Sequence, residues 1–180
     1  MTRNKRTDQI QKTTLKLLQL AQVNEPAIPV EQIVELRGPQ IRYVGFEDEL
    51  SGLIFREEGR PVIGINKRHS RQRQRFTIAH EFGHLELHNR NDLHIDRQFY
   101  MRLQTADDPD SLSQSIDPLD IEASIFATEL LTPQNMLEQD LRGHPIDYED
   151  DELIRTLAER YQVSLQLMIF RLTSLDLISV

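Results

Sequence analysis

The spacing of apolar and polar positions predicts a chain made mostly of helices. Between residues 10 and 22, apolar side chains recur at roughly helical intervals, which predicts a first helix. Pro29–Leu36 has the signature of a short second helix, because Pro29 suits the first helical turn and Gly38 suits the exit. The sequence therefore begins with two helices.

Three short stretches with strand character follow, at Ile41–Phe46, Gly52–Arg56 and Val62–Asn66. Pro61 stands just before the third stretch, where a missing backbone donor is tolerated. Residues 57–60 have the composition of a hairpin turn. We expect these stretches to form a small antiparallel three-stranded sheet.

The rest of the chain predicts further helices, most of them with a recognisable start. Ser70 can cap a helix that runs to about Asn89, whereas residues 90–117 are polar and irregular. The Asp-Pro pair at 117–118 and the Thr-Pro pair at 132–133 are strong helix starts. Together with an acidic entry and a Ser cap further on, these signals predict helices over about 118–131, 133–143, 152–161 and 164–173.

These elements add up to an α+β fold, mostly helical, beside a small antiparallel sheet. We expect residues 1–145 to form one domain. Residues 146–180 are expected to form a helix pair that packs on this domain, so that the chain is a single globular unit.

Composition narrows the classes of function. The 180 residues are 38% hydrophobic and 28% charged, and the lack of Cys excludes a disulfide scaffold, a thiol nucleophile and a Cys-ligated zinc site. No apolar run approaches the roughly 20 residues that span a bilayer. Lys16 and Gln19 interrupt the N-terminal apolar stretch, so we expect no signal peptide. The resulting expectation is a cytoplasmic protein that does not bind membranes.

Charge argues against a nucleic-acid partner. The net charge is −8, and residues 91–180 carry 18 acidic against 6 basic residues, an excess that repels phosphate backbones. Residues 157–172 have the apolar spacing of a helix-turn-helix. Its second helix, however, offers only Gln166 and Arg171 to a DNA groove. We therefore expect no direct contact with nucleic acid.

The residues from His80 to His84 carry the candidate chemistry. On a helix, two residues four apart share one face, so His80 and His84 can bind one metal ion at about 2.0–2.1 Å. Glu81 then lies beside the open position of the metal, where it can take a proton from water and pass it to a leaving amine. This is the pattern of a zinc metallopeptidase. Gly83 costs about 1 kcal/mol inside a helix, which indicates that another segment approaches closely there.

Two segments, RQRFTIAHEFGHLELH at 73–88 and DIEASIFATELLTP at 120–133, resemble the paired motifs of the ImmA/IrrE family of metallopeptidases. The resemblance extends over nearly the whole chain. It implies a minimal zincin-like fold, one zinc ion per chain and proteolysis of a regulatory protein. Typical partners in the family are helix-turn-helix repressors of mobile elements and stress responses. Imidazole and carboxylate ligands also suit Mn²⁺ or Fe²⁺.

The third metal ligand has five candidates: Asp120, Glu122, His88, His94 and Glu129. The resemblance implies Asp120, because the family has its ligand, a Glu, three residues before the first Ala of this motif. On a helical wheel, Asp120 lies roughly 55° from the centre of the apolar face and Glu122 roughly 105°. Since Asp is one methylene shorter than Glu, its helix must approach closely. Glu122 is the second candidate.

The remaining candidates have other expected roles. We expect His88 to support the site rather than to bind metal. Unless one of them binds the metal, Glu122 and Glu129 are expected to face solvent. Ser124 stands where the family usually has Asn. If Asp120 is the ligand, Asp120→Ala should lose the metal and Glu122→Ala should keep it.

Two hypotheses from different classes remain. The first is a zinc endopeptidase in which His80, His84 and Asp120 hold the metal and Glu81 is the catalytic base and then the acid. The second is a non-catalytic metal-binding antirepressor or sensor that acts by binding its partner. Glu81 favours the first hypothesis, because a purely structural zinc site needs no such base.

Overall fold

The computed structural model describes residues 5–47, 50–88, 94–96, 117–142, 146–147 and 151–179. Within these ranges the helices are α1 Lys5–Leu20, α2 Val30–Leu36, α3 Arg71–His88, α4 Pro118–Leu131, α5 Gln134–Asp140, α6 Asp151–Tyr161 and α7 Leu165–Ser174. The strands are β1 Gln40–Val44, β2 Gly52–Glu57, β3 Arg60–Asn66, β4 His94–Asp96, β5 Ile146–Asp147 and β6 Ile178–Ser179.

The predicted α+β, mostly helical fold class is confirmed. Three predicted helix starts have side-chain caps: Ser70 accepts from the amide of Arg73, and Asp117 and Ser164 do the same for α4 and α7. The first helix begins at Lys5 rather than at residue 10. The first turn of this helix is polar, so the helical spacing of apolar residues predicted only the part of the helix from residue 10 onward.

The main sheet is mixed, with strand order β1-β3-β2-β4. The predicted antiparallel pairing holds for β2 and β3 but is wrong for β1, which pairs with β3 in parallel. A two-residue turn fixes the β2–β3 hairpin, since Glu58 and Gly59 both have positive φ, 50° and 81°. Strand β2 already occupies one edge of β3, so β1 pairs with the opposite edge. There β1 runs in the same direction as β3.

A fourth strand, β4, pairs antiparallel with β2 in a stretch that was predicted to be irregular. Its three residues are too few to show a strand period in the sequence. The side chain of His94, and most of the stretch 90–117, lie outside the described residues.

Helix α3 is the central element, because it packs against the sheet on one side and against α4 on the other. Helix α4 also contacts α1. The candidate site lies where α3 meets α4. Within the described part of the chain, no helix has both the length and the apolar character needed to cross a membrane.

Candidate metal centre

The two histidines of the predicted motif lie in the buried middle of α3. His80 is 1% exposed and His84 is 0% exposed. Their Nε2 atoms lie 3.2 Å apart, because residues four apart share one face of a helix. Two imidazole nitrogens thus converge on one point, as binding to a shared metal ion requires.

Gly83 allows α4 to approach this part of α3. A Cβ atom on Gly83 would lie 3.0 Å from Cδ1 of Phe126 and 3.2 Å from both the Cα and the carbonyl oxygen of Ala123. These distances are shorter than ordinary carbon contacts of about 3.5–4.0 Å. The close approach predicted from Gly83 is therefore confirmed, and the approaching segment is α4.

Asp120, in the first turn of α4, lies beside the two histidines. Its Oδ1 is 3.3 Å from Nε2 of His84, and the ligand atoms of His80, His84 and Asp120 all lie within 4.8 Å of one another. In a tetrahedral site with bonds of about 2.0–2.1 Å, two ligand atoms are about 3.3–3.4 Å apart. The spacing and the donor types, two imidazoles and a carboxylate, therefore fit one divalent metal ion.

Ser124, one turn further along α4, connects His80 with Asp120. Its hydroxyl donates to the backbone carbonyl oxygen of Asp120 at 2.7 Å and lies 3.0 Å from Nδ1 of His80. The single hydroxyl hydrogen goes to the carbonyl, so Ser124 accepts from the Nδ1–H of His80. The proton of neutral His80 is then on Nδ1, and Nε2 keeps its lone pair for a metal.

A second set of polar groups lies behind His84. Nδ1 of His88 is 3.2 Å from Nδ1 of His84, and Nε2 of His88 is 2.8 Å from Oε2 of Glu122. Arg6 of α1 donates to the same carboxylate oxygen at 2.6 Å. Glu122 therefore bonds to Arg6 and His88 and is not part of the three-residue group, whereas Asp120 is.

The charge states of this set follow from its contacts. The hydrogen bond from Arg6 is the main factor that lowers the pKa of Glu122 to about 2, so its carboxylate is ionised at neutral pH. Burial lowers the pKa of His88, although the hydrogen bond to Glu122 opposes this effect. His88 is therefore neutral at physiological pH.

Glu81, the residue after His80 in α3, is fully buried. Its side chain lies against the first residue of β2, since a Cβ atom on Gly52 would be 3.2 Å from Oε1 of Glu81 and 2.5 Å from Cγ2 of Thr77. Only a glycine leaves this space. This role of Gly52 was not predicted from the sequence, although a glycine in a strand often marks a close approach.

The expectation that Glu122 and Glu129 face solvent is wrong. The side chain of Glu122 is only 24% exposed and bonds to Arg6 and His88. Glu129 does not face solvent: it is 4% exposed, and its carboxylate accepts two hydrogen bonds from Arg171, at 2.9 and 2.7 Å. Arg171, which was weighed as a DNA-reading residue, is equally buried and also donates to the backbone of Thr132. The sequence did contain a signal for this buried ion pair, because Arg171 is a charged residue within the apolar stripe of α7.

Two histidines and an aspartate on facing helices, with a buried glutamate beside them, are typical of a metallopeptidase site. Comparison with known proteins supports this class. The IrrE N-terminal-like domain family (Peptidase_M78) matches residues 34–173, and the chain belongs to this family of peptidases. The resemblance found in the sequence is thereby confirmed. No curated protein gives a match to the chain.

Proposed function

We propose that the chain is a metal-dependent endopeptidase that binds one Zn²⁺ ion through His80, His84 and Asp120. The observation that carries the proposal is the convergence of these three ligand atoms within 4.8 Å of one another. Membership in a peptidase family supports hydrolysis of peptide bonds as the reaction. The same ligands also suit Mn²⁺ or Fe²⁺. The ligand types alone therefore do not select the ion, and its identity as zinc is proposed as well.

In this mechanism the protein supplies a base and holds the ligands in place. A divalent ion at the site would act as a Lewis acid on the peptide carbonyl and on water. Glu81 accepts the proton of the attacking water and then donates it to the leaving amine. Ser124 holds the ring of His80 by the hydrogen bond described above.

The proposed substrate is a regulatory protein, specifically a helix-turn-helix repressor present with the peptidase in the cytoplasm. This choice rests on the resemblance to the ImmA/IrrE family. The acidic excess of residues 91–180 supports a protein partner rather than a nucleic acid.

The test of catalysis uses purified protein and, as candidate substrates, any helix-turn-helix regulators that are encoded beside its gene. We expect the wild type to cleave one of them, whereas Glu81→Gln keeps the metal and the fold but does not cleave. The amide is nearly isosteric with the carboxylate yet cannot accept the proton. Cleavage by Glu81→Gln at the wild-type rate would refute this role of Glu81. Binding without cleavage, by both proteins alike, would favour the non-catalytic antirepressor.

The test of the metal site measures metal content by elemental analysis. We expect one equivalent of metal in the wild type and a loss of metal in His80→Ala and Asp120→Ala, since two remaining ligands are too few for a stable site. Undiminished metal in either variant would remove that residue from the site.

A further inference from the structure

Four polar groups form a hydrogen-bonded chain that runs from α1 to the candidate metal site: Arg6, Glu122, His88 and His84. We propose that Arg6, Glu122 and His88 are positioning residues that fix the proton of His84 on Nδ1, so that its Nε2 lone pair faces the metal. This inference rests on the proposed metal site but not on the proposed cleavage reaction.

The direction of these hydrogen bonds follows from Arg6, which lies at the end of the hydrogen-bonded series farthest from the candidate metal site. The guanidinium of Arg6 can only donate, and the carboxylate of Glu122 that it contacts at 2.6 Å accepts. The same oxygen lies 2.8 Å from Nε2 of His88, so Nε2 of His88 is the donor. A neutral imidazole with its proton on Nε2 has a lone pair on Nδ1. His88 therefore presents an acceptor to His84.

The contact between His88 and His84 then determines which nitrogen of His84 carries the proton. Nδ1 of His84 lies 3.2 Å from Nδ1 of His88, and it must donate if His88 accepts. Neutral His84 then carries its proton on Nδ1 and has its lone pair on Nε2. That atom is the one that lies 3.2 Å from Nε2 of His80 and 3.3 Å from Oδ1 of Asp120. The outer contacts thus select the tautomer that a metal ligand needs.

The three positioning residues should affect the tautomer of His84 and the affinity for Zn²⁺ less the closer they lie to the protein surface. The side chain of His88 is 4% exposed, that of Glu122 24% and that of Arg6 34%. A hydrogen bond to a buried group is worth more than a partly exposed ion pair, which solvent screens. We expect His88 to matter most and Arg6 least.

Arg6 belongs to a part of the chain that the family does not match, since the match begins at residue 34. Helix α1 nevertheless packs on α4. Its Arg6 contacts Glu122, one of the residues proposed to position His84. The proposed site therefore depends on a segment that precedes the matched domain.

A purely structural role for these groups, as contacts that hold three helices together, makes different predictions. It predicts changes in folding stability but no change in the tautomer of His84. The experiment therefore reads the tautomer directly, by long-range ¹H–¹⁵N correlation spectra of metal-free protein with ¹⁵N-labelled histidine. Affinity for Zn²⁺ is measured separately, by competition with a fluorescent chelator.

We expect wild-type His84 to carry its proton on Nδ1. His88→Ala and Glu122→Ala should each give a mixture of tautomers and weaken Zn²⁺ binding by about 10- to 100-fold, the usual range for groups that support a ligand. Both should still bind one equivalent of Zn²⁺. Glu122→Gln should recover most of the affinity, because its amide oxygen still accepts from His88. Arg6→Ala should have the smallest effect.

The matched control is Glu86→Ala, in the last two turns of the same helix. It removes an ion pair with Arg37, at 3.1 Å, that does not contact the candidate site. In Glu86→Ala, the tautomer of His84 and the affinity for Zn²⁺ should equal those of the wild type.

An Nε2–H tautomer of His84 in the wild type would overturn the proposal. Wild-type Zn²⁺ affinity in both His88→Ala and Glu122→Ala would overturn it as well. If an alanine variant fails to fold, the tautomer of His84 in the wild-type spectrum still decides the question. None of these measurements uses cleavage, so failure of the peptidase reaction would leave the result unaffected.

Discussion

The contact between α3 and α4 at Gly83 is the place where a small change should act on the proposed metal site. In Gly83→Ala, the added Cβ would lie 3.2 Å from the Cα and the carbonyl oxygen of Ala123. Carbon atoms in contact prefer about 3.5–4.0 Å, so α4 must move away by at least about 0.3 Å. Backbone atoms cannot turn aside as a flexible side chain does.

Two opposing terms set the stability of Gly83→Ala. Alanine gains about 1 kcal/mol of helix propensity over glycine. Overpacking a tight contact costs about 1–3 kcal/mol. We therefore expect the metal-free variant to be between unchanged and about 2 kcal/mol less stable than the wild type in urea denaturation.

The effect on metal binding should be larger than the effect on stability. Asp120 lies one turn from Ala123, so a shift of α4 lengthens the present distance of 3.3 Å between Asp120 and His84. Metal–ligand distances tolerate only about 0.2 Å of variation. We expect Zn²⁺ affinity, measured by chelator competition, to fall by about tenfold or more.

Gly45→Ala is the control, because its new Cβ would meet the flexible end of Lys67 at 3.3 Å, away from the metal site. It should leave Zn²⁺ affinity unchanged. The reasoning about the helix contact would be refuted if Gly83→Ala were about 1 kcal/mol more stable than the wild type and bound Zn²⁺ equally well, because α3 and α4 would then have room for the methyl group.

Three further predictions concern the groups around the site. Arg171→Met should destabilise the fold by about 3–5 kcal/mol in urea denaturation, because it leaves buried Glu129 without its charged partner, and the double variant with Glu129→Leu should recover part of the loss. Ser124→Ala should weaken Zn²⁺ binding by about 10- to 100-fold, since the Nδ1–H of His80 loses its acceptor, and an unchanged affinity would contradict that role. The lowered pKa of Glu122 means that its carboxylate stabilises the fold at neutral pH and that this contribution is lost as the pH falls from 4.5 to about 2. Glu122→Gln should accordingly show a flatter decline of stability over that interval, and a parallel decline would contradict the assignment.

The parts of the structure that depend on near neighbours in the chain were predictable. Ser70, Asp117 and Ser164 marked helix starts, because a cap acts on amides within three residues. The pairing of His80 with His84 follows from the helical repeat alone. Even the approach of a second helix left a local signal, the glycine at 83.

The parts that depend on distant segments were not predictable from these patterns. Whether β1 lies beside β2 or β3 depends on which edge is open, and the sequence of β1 does not contain that information. Arg6 and Glu122 form an ion pair across 116 positions of the chain. The proposed metal ligands were therefore visible in the sequence, whereas several of the residues that contact and orient them were not.

Asp120 and Ser124, the two positions of the candidate metal site at which the sequence departs from the ImmA/IrrE pattern that it resembles, are connected in the structure. Asp120 is shorter than the usual glutamate, so it reaches the histidines only if α4 lies close to α3, and Gly83 permits that approach. Ser124 stands where asparagine is usual, and its hydroxyl bonds both to the carbonyl of Asp120 and to Nδ1 of His80. A hydroxyl is shorter than an amide side chain, as Asp is shorter than Glu. Both departures therefore suit the same short distance between the two helices.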